Sequence, residues 1–310
     1  MSRKLLAVAL FLILAPSVIA AGQPVLRVAY AGSMGAVMDR GLGPAFAKVH
    51  GVTYQGIGQG AYGLARLLAG KQLQADVFVA ITPGPVKIVQ DAGLLGATQP
   101  VASTQMVIAY SPNSRFAAAF RAAAAGKIPW YSVLERKGLR FGRTDPATDP
   151  QGRNIVLTML LAERYYKQPR LAHKILGSVR NPRQIFTEPS LLSRLEAGQV
   201  DASSGYLSAV VSHRLPYLRL PDEINLGNPA MAADWYDKVG FTLTKPDGAT
   251  ERAKVRPLVF YAGVLNTAAN PKAAREFVNF LDSPAGQKIF AGFGYSPPPK
   301  GGADARGMRD

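Results

Sequence analysis

Three short segments place polar groups beside glycine or proline where a strand hands over to a helix. They are Ala31-Gly32-Ser33-Met34, Gly56-Ile57-Gly58-Gln59-Gly60-Ala61 and Thr148-Asp149-Pro150-Gln151-Gly152. Backbone N–H groups at a helix N-terminus favour anions, and in open α/β sheets ligands sit beyond the carboxyl ends of strands. The first segment sets a hydroxyl beside a helix start. The second has no bulk to hold a ligand off the backbone, and the third adds a carboxylate. Ser33 and Asp149 also suit plain N-caps, Asp149 with Pro150 at the first helical position. The glycine segment nearly matches a dinucleotide fingerprint, through Gly56, Gly58 and Ala61 with Asp76 near the offset of the ribose acid. Asp76 begins a strand, whereas the ribose acid belongs at a strand's carboxyl end, so that reading is set aside.

Composition narrows the chemistry. The 310 residues include no Cys, which excludes a disulfide framework, a thiolate zinc site, an iron–sulfur cluster and a lipidated cysteine. The three His residues, His50, His173 and His213, are too scattered for a histidine-rich metal site, and no cofactor is expected. No nucleophile elbow or Ser/His/Asp arrangement is present, which leaves an exported hydrolase as the weaker alternative. Thirty-six Lys and Arg against twenty Asp and Glu give a net charge of +16, suited to an anionic partner. Those cations run along the chain without a dense cluster or an aromatic stripe. They read as a solvated surface, with no nucleic acid as partner.

The elements that must position these residues follow an export signal. Arg3 and Lys4 precede an apolar run from Leu5 to Ala15, and Ala20 closes a small-residue exit, the three parts of a secretory signal peptide. Its removal leaves 290 residues with a net charge of +14, since Arg3 and Lys4 go with it. That length suits two domains. From Val25 to Tyr110 strands and helices alternate as βαβαβαβ, the pattern of a parallel sheet with helices on its faces. Strands are expected at Val25–Tyr30, Val52–Gln55, Asp76–Ala80 and Gln105–Tyr110, with helices at Met34–Val49 and Pro83–Ala92. The middle repeats the style, with strands at Leu139–Gly142, Gln184–Phe186 and Val200–Ser203 and helices at Ile155–Tyr166 and Pro189–Glu196. A strand at Pro257–Leu265 leads to helices at Pro271–Leu281 and Pro284–Phe293, the latter capped by Ser283. From residue 297 the chain is Pro/Gly-rich and reads as a disordered tail.

The mature chain resembles the periplasmic substrate-binding proteins of ABC transporters, and among them the tungstate/molybdate-binding branch known from archaea. The likeness covers roughly Val25 to Tyr295. It rests on Ala31-Gly32-Ser33-Met34, on the Asp149-Pro150-Gln151-Gly152 turn, and most specifically on Leu220-Pro221-Asp222-Glu223-Ile224-Asn225-Leu226 followed by Ala233-Asp234-Trp235-Tyr236. Phe277–Phe290 is shared by many solute-binding proteins. The resemblance implies a type II two-lobed α/β fold, each lobe a mostly parallel sheet flanked by helices, joined by a strand hinge. Lobe one would take residues 24–106 and 256–296, and lobe two residues 107–255.

In that family the oxyanion is held between the lobes by two serines, two carboxylates and a tyrosine. The resemblance puts these roles on Ser33, Asp149, Glu188 and Tyr206. The second serine falls on Ala61, which offers only a backbone N–H, and Arg153 replaces a tyrosine usual after the Asp-Pro-x-Gly turn. Two carboxylates facing an anion repel it by several kcal/mol at an effective dielectric near 20, unless they are protonated or bond its central atom. Tungsten(VI) and molybdenum(VI) accept such extra oxygens, whereas the sulfur of sulfate does not. Asp149 and Glu188 would then be direct ligands of the metal centre in the bound tungstate or molybdate, and would select against sulfate. The local alternative is that each merely caps its helix. The resemblance further implies a monomeric periplasmic protein, not a lipoprotein, that delivers its cargo to an ABC permease in the inner membrane. Another small anion such as sulfate remains the alternative cargo.

Overall fold

The computed structural model describes residues 23–244 and 248–299. The expected signal peptide, residues 1–20, and positions 300–310 of the expected tail lie outside the described residues. Eleven strands are formed by the described chain: β1 Val25–Ala31, β2 Thr53–Gln59, β3 Val77–Ile81, β4 Gln99–Ser103, β5 Met106–Tyr110, β6 Phe141–Gly142, β7 Ala202–Tyr206, β8 Tyr217–Arg219, β9 Gly240–Thr244, β10 Thr250–Lys254 and β11 Val259–Val264. A five-stranded sheet runs in the order β2-β1-β3-β11-β4, a four-stranded sheet in the order β6-β7-β5-β8, and β9 pairs with β10. The architecture is α/β with two lobes, as the sequence led us to expect. Its sheets are mixed: β1–β2, β1–β3 and β6–β7 are parallel, whereas β11 and β5 are antiparallel to both neighbours. Wholly buried runs such as Val77–Ile81 and Met106–Tyr110 sit at or near the sheet centres, because a strand covered on both faces needs no alternation.

Two crossings join the lobes. Thr104 and Gln105 connect β4 to β5, and Val255–Leu258 connects β10 to β11. They run side by side, with Thr104 N–H donating to Leu258 O at 3.0 Å. The motif that best marks the family resemblance braces this hinge. Asn225, buried at the end of the short helix Asp222–Asn225, donates to Gln105 Oε1 at 3.0 Å and to Asp222 Oδ1 at 2.9 Å. Leu226 O accepts Leu258 N–H at 3.0 Å. The buried Tyr236 donates its hydroxyl to Asp222 O at 2.6 Å, which ties in the Ala233–Tyr236 segment.

Several expectations need correction. Most of the glycine segment is strand rather than loop: Gly56 and Gly58 lie within β2, paired with Val28 and Tyr30 of β1, and only Gly60 and Ala61 form the turn into the next helix. The missing side chains of Gly56 and Gly58 make room for Tyr30, whose hydroxyl donates to Asp39 Oδ2 at 2.6 Å. The helix expected at Met34–Val49 is broken into a 3₁₀ turn at Gly32–Met34, a short α turn, a π turn at Met38–Leu42 and an α-helix at Gly43–His50. Pro44 has no N–H to give an unbroken ladder there. The strand expected at Gln184–Phe186 is a single bridge, Ile185 to Arg143. Asp76, the rejected ribose acid, is a buried tie that accepts Arg27 N–H at 2.7 Å and Asn270 N–H at 3.1 Å. Ser283 caps its helix by accepting Gly286 N–H at 3.1 Å, as expected. Ser103 and Ser296 exchange backbone hydrogen bonds of 2.8 and 3.0 Å, fastening the C-terminal chain to β4.

A methyl group on Gly58 would lie 2.6 Å from the Tyr30 ring. Gly58→Ala should therefore cost about 1–3 kcal/mol, as overpacking does, read as a lowered denaturation midpoint. An unchanged midpoint would mean that β2 does not press on Tyr30.

Candidate functional site

Asp149 is the N-cap of the helix Pro150–Tyr166, and its Oδ1 accepts Gln151 N–H at 2.8 Å. Twelve of that helix's 17 residues are buried, and its buried first turn is polar, with Gln151, Arg153 and Asn154. Such a turn has to be satisfied from within. Glu188 opens the helix Glu188–Glu196, which lays Leu192 and Leu195 against Val107 and Ala109 of β5. Thr187 is the N-cap there, and the Glu188 side chain reaches away from its own helix. Its Oε1 accepts Gln151 Nε2 at 3.0 Å, and its carboxylate also accepts Ser33 N–H. The simple capping role thus describes part of Asp149 and none of Glu188. Nor is Ser33 a side-chain cap; it is buried in the 3₁₀ turn after β1.

Four of the five expected residues come together. Tyr206, at the end of β7, is 1% exposed, and its hydroxyl accepts Asn154 Nδ2 at 2.9 Å, leaving the phenolic proton free to donate. Ser33, Asp149 and Glu188 are 5%, 7% and 5% exposed. Glycines allow the approach: a Cβ on Gly32 would lie 2.9 Å from Glu188 Oε2, and one on Gly60 would lie 3.2 Å from Asp149 Oδ2. Ala61 begins the helix Ala61–Ala69 beside Gly60, so the N-terminal N–H groups of that helix face the Asp149 side of the cleft. The lobes meet at this rim. Gly63 N–H donates to Thr148 O at 3.1 Å, and Arg66 donates to Ala147 O at 3.2 Å through both Nη1 and Nη2.

Burial, then the charge of Asp145, pushes the Asp149 carboxyl up to about 6, opposed by the Gln151 N–H. Burial, then Asp149, pushes Glu188 well above the ordinary carboxylate range, opposed by the Ser33 N–H. No Lys or Arg contributes to either shift. Arg153 turns aside: its Nε donates to Pro146 O at 2.8 Å, and its Nη1 pairs with Glu251. The result is a buried acid pair with raised proton affinity, set beside N–H and O–H donors. It can donate hydrogen bonds to an oxyanion, or give up its protons and supply anionic oxygens to an electrophilic centre.

The sequence reading missed the residues that orient this pair. Ser204 Oγ donates to Gln151 Oε1 at 3.0 Å, which turns Gln151 Nε2 toward Glu188. Tyr295 donates to Ser33 O at 3.2 Å and holds the turn after β1 from the far end of the chain. Periodicity held a signal for two of them: Gln151 and Asn154 share a helix face, and Ser204 and Tyr206 share a strand face. For Tyr295 no local signal exists.

The family of bacterial extracellular solute-binding proteins matches residues 26–296. The chain is 33% identical over 209 residues to the molybdate/tungstate-binding protein WtpA of Thermococcus kodakarensis, a match covering 61% of this chain and 57% of that protein. To WtpA of Pyrococcus abyssi it is 35% identical over 210 residues, covering 61% and 58%. The match therefore spans a little over half the length of these curated relatives. Among solved structures, the periplasmic molybdate-binding protein of Azotobacter vinelandii superposes with a TM-score of 0.63 at 15% identity, covering 88% of this chain and all of that one. At that identity the likeness is one of fold.

An unfolded aspartate titrates near 3.9, whereas native Asp149 is pushed up to about 6. Between the two, the native state keeps a proton that the unfolded chain has lost, so this group's contribution to stability falls as pH rises through that window. The loss is about 3 kcal/mol for a shift of roughly two units. Asp149→Asn, which keeps the cap, should stabilise the ligand-free protein most above pH 7 and not at all near pH 4. Paired denaturation curves across that range check this; a gain that grows toward acid would contradict it.

Proposed function

The chain belongs to the family of bacterial extracellular solute-binding proteins, and from that premise we propose that it is the extracytoplasmic binding component of an ABC importer, capturing tungstate or molybdate between its lobes. It is a binding protein, not an enzyme. The observation that carries the cargo assignment is the buried Asp149–Glu188 pair, with no cation beside it among the described residues. An ordinary tetrahedral anion gains from two acids only the hydrogen bonds of their protonated forms, whereas a metal-centred oxyanion can also take their oxygens as ligands. Ser33, Tyr206 and the N–H groups at Ala61 would donate to the oxo groups, and Asp149 and Glu188 would bond the metal. Ser33 and Ala61 lie on lobe one (residues 24–106 and 256–296) and the other three on lobe two (107–255), so the bound anion ties the lobes shut. That the WtpA relatives are molybdate/tungstate-binding proteins supports the same cargo. A signal peptide over residues 1–20 would deliver the protein to the periplasm as a monomer without a lipid anchor, where it meets its permease.

Calorimetry against tungstate, molybdate, sulfate and phosphate tests the reading. Tungstate or molybdate should bind at least a hundredfold more tightly than sulfate, and at 100 times its dissociation constant should add about 2.7 kcal/mol of stability. Equal or tighter sulfate binding would overturn the metal-ligand role of the acids.

Glu188→Gln and Glu188→Ala should both abolish most tungstate affinity, and Glu188→Gln should shift preference toward anions that only accept hydrogen bonds. Full tungstate affinity in Glu188→Ala, measured on protein with a normal melting curve, would remove Glu188 from the site.

A further inference from the structure

At the rim of the cleft the lobes touch one another directly, through residues that are not among those assigned to the anion. On the five-stranded lobe these residues stand on the first turns of the helix Ala61–Ala69. Tyr62 lies under the guanidinium of Arg153, whose carbon is 3.6 Å from the ring centre. Gly63 N–H donates to Thr148 O, and Arg66 grips Ala147 O through both Nη1 and Nη2. Ala147, Thr148 and Arg153 follow β6 in the four-stranded lobe. Among the described residues, the side chains of Tyr62, Arg66 and Arg153 make no hydrogen bond to Ser33, Asp149, Glu188 or Tyr206.

Each partner is set in place by its own lobe. Arg153 is 7% exposed, its Nε donates to Pro146 O, and its Nη1 pairs with Glu251. Tyr62 is seated by a glycine: a Cβ on Gly84 would lie 2.2 Å from the Tyr62 hydroxyl, at the start of the helix Pro83–Asp91. The backbone under that seat is strained. Thr82, just before the helix, has φ +65° and ψ 157°, a region that only glycine enters at ease. Its N–H bond to Val259 O at 3.0 Å helps to hold it there. Strain of this kind persists where the surroundings over-determine it, and it collects at binding sites. A cation and a ring held in this way lose little further freedom when they meet. A guanidinium withdrawn from water also gains more from a ring face than an exposed one does. Ala61 heads the same helix and brings the anion no hydroxyl, so the contacts at Tyr62, Gly63 and Arg66 take a larger share in drawing this helix to the other lobe.

We infer that Tyr62, Arg66 and Arg153 are positioning residues for capture: they latch the lobes by direct contact and raise the affinity for an anion they never touch. The inference rests on capture between the lobes, and not on which anion is captured. An anion held only by the closed form has an apparent affinity set by the fraction of protein that closes. A latch therefore strengthens every cargo by one common factor, whereas contacts to the anion itself separate one cargo from another. Small-angle scattering without anion, and calorimetry with tungstate and with molybdate, test this on wild type, Tyr62→Leu/Arg66→Ala, Arg66→Ala and Tyr62→Phe. Without anion the double variant should have a larger radius of gyration than wild type, and saturating tungstate should contract both to the same value. The double variant should lose roughly fivefold in affinity, by the same factor for tungstate and molybdate. Arg66→Ala, which leaves Tyr62 seated, should weaken both anions by a smaller common factor. Tyr62→Phe keeps the ring under the guanidinium and should match wild type in radius and affinity. Equal anion-free radii in wild type and the double variant would overturn the inference. So would a loss confined to one of the two anions, since the residues would then be touching cargo. If wild type binds neither anion, the tungstate reading fails, while the anion-free radii still decide the latch.

Discussion

Two carboxyl groups buried in one cleft, with no cation among the described residues set against them, impose the main constraint on this molecule. Ionising both would cost several kcal/mol in desolvation and mutual repulsion, so the surroundings must either hold protons on them or offer donors. The protein does both. Burial raises the affinity of both groups for protons, while Gln151 and the Ser33 N–H give each carboxylate a partner. Gln151 serves Asp149 through its backbone N–H and Glu188 through its side-chain amide, and Ser204 fixes which end of that amide faces Glu188. A cation at Arg153 would relieve the strain and weaken the selectivity together. Its engagement with Pro146 and Glu251 directs that charge elsewhere.

The rest of the fold serves to bring this pair under the first lobe. Asp149 and Glu188 come from helices of the second lobe, whereas Ser33 and Gly60 approach from strand ends of the first. Bringing a backbone that close to a carboxylate needs glycine at positions 32 and 60, where any side chain would press on an acid oxygen or, at Gly60, on Thr148 O. The hinge has the opposite demand. Its two crossings are tied to one another and to Asn225 and Leu226, with Tyr236 bracing the Asp222 end of that segment.

Much of the architecture could be read from the chain. The alternation of apolar runs and amphipathic segments determined the α/β class, and Ser283-Pro284 determined where a helix begins, because caps are local chemistry; Asp149-Pro150 offered the same cap, although the apolar pattern put that helix's start at Ile155 rather than Pro150. The separation of Glu188 from Tyr206 pointed at the site only through resemblance to a family. Other features were decided by the tertiary structure. Whether Gly56 and Gly58 lined a ligand or a tyrosine depended on strand register, which pairs residues far apart in the chain. That β11 and β5 run against their neighbours depended on where the chain returns to each sheet. The roles of Gln151, Ser204 and Tyr295 depended on partners 37, 53 and 262 residues away. Propensity and capping act over a turn or two, and so a sequence can declare its elements and its titratable groups. The burial that moves a carboxyl's proton affinity exists only once both lobes have closed over it.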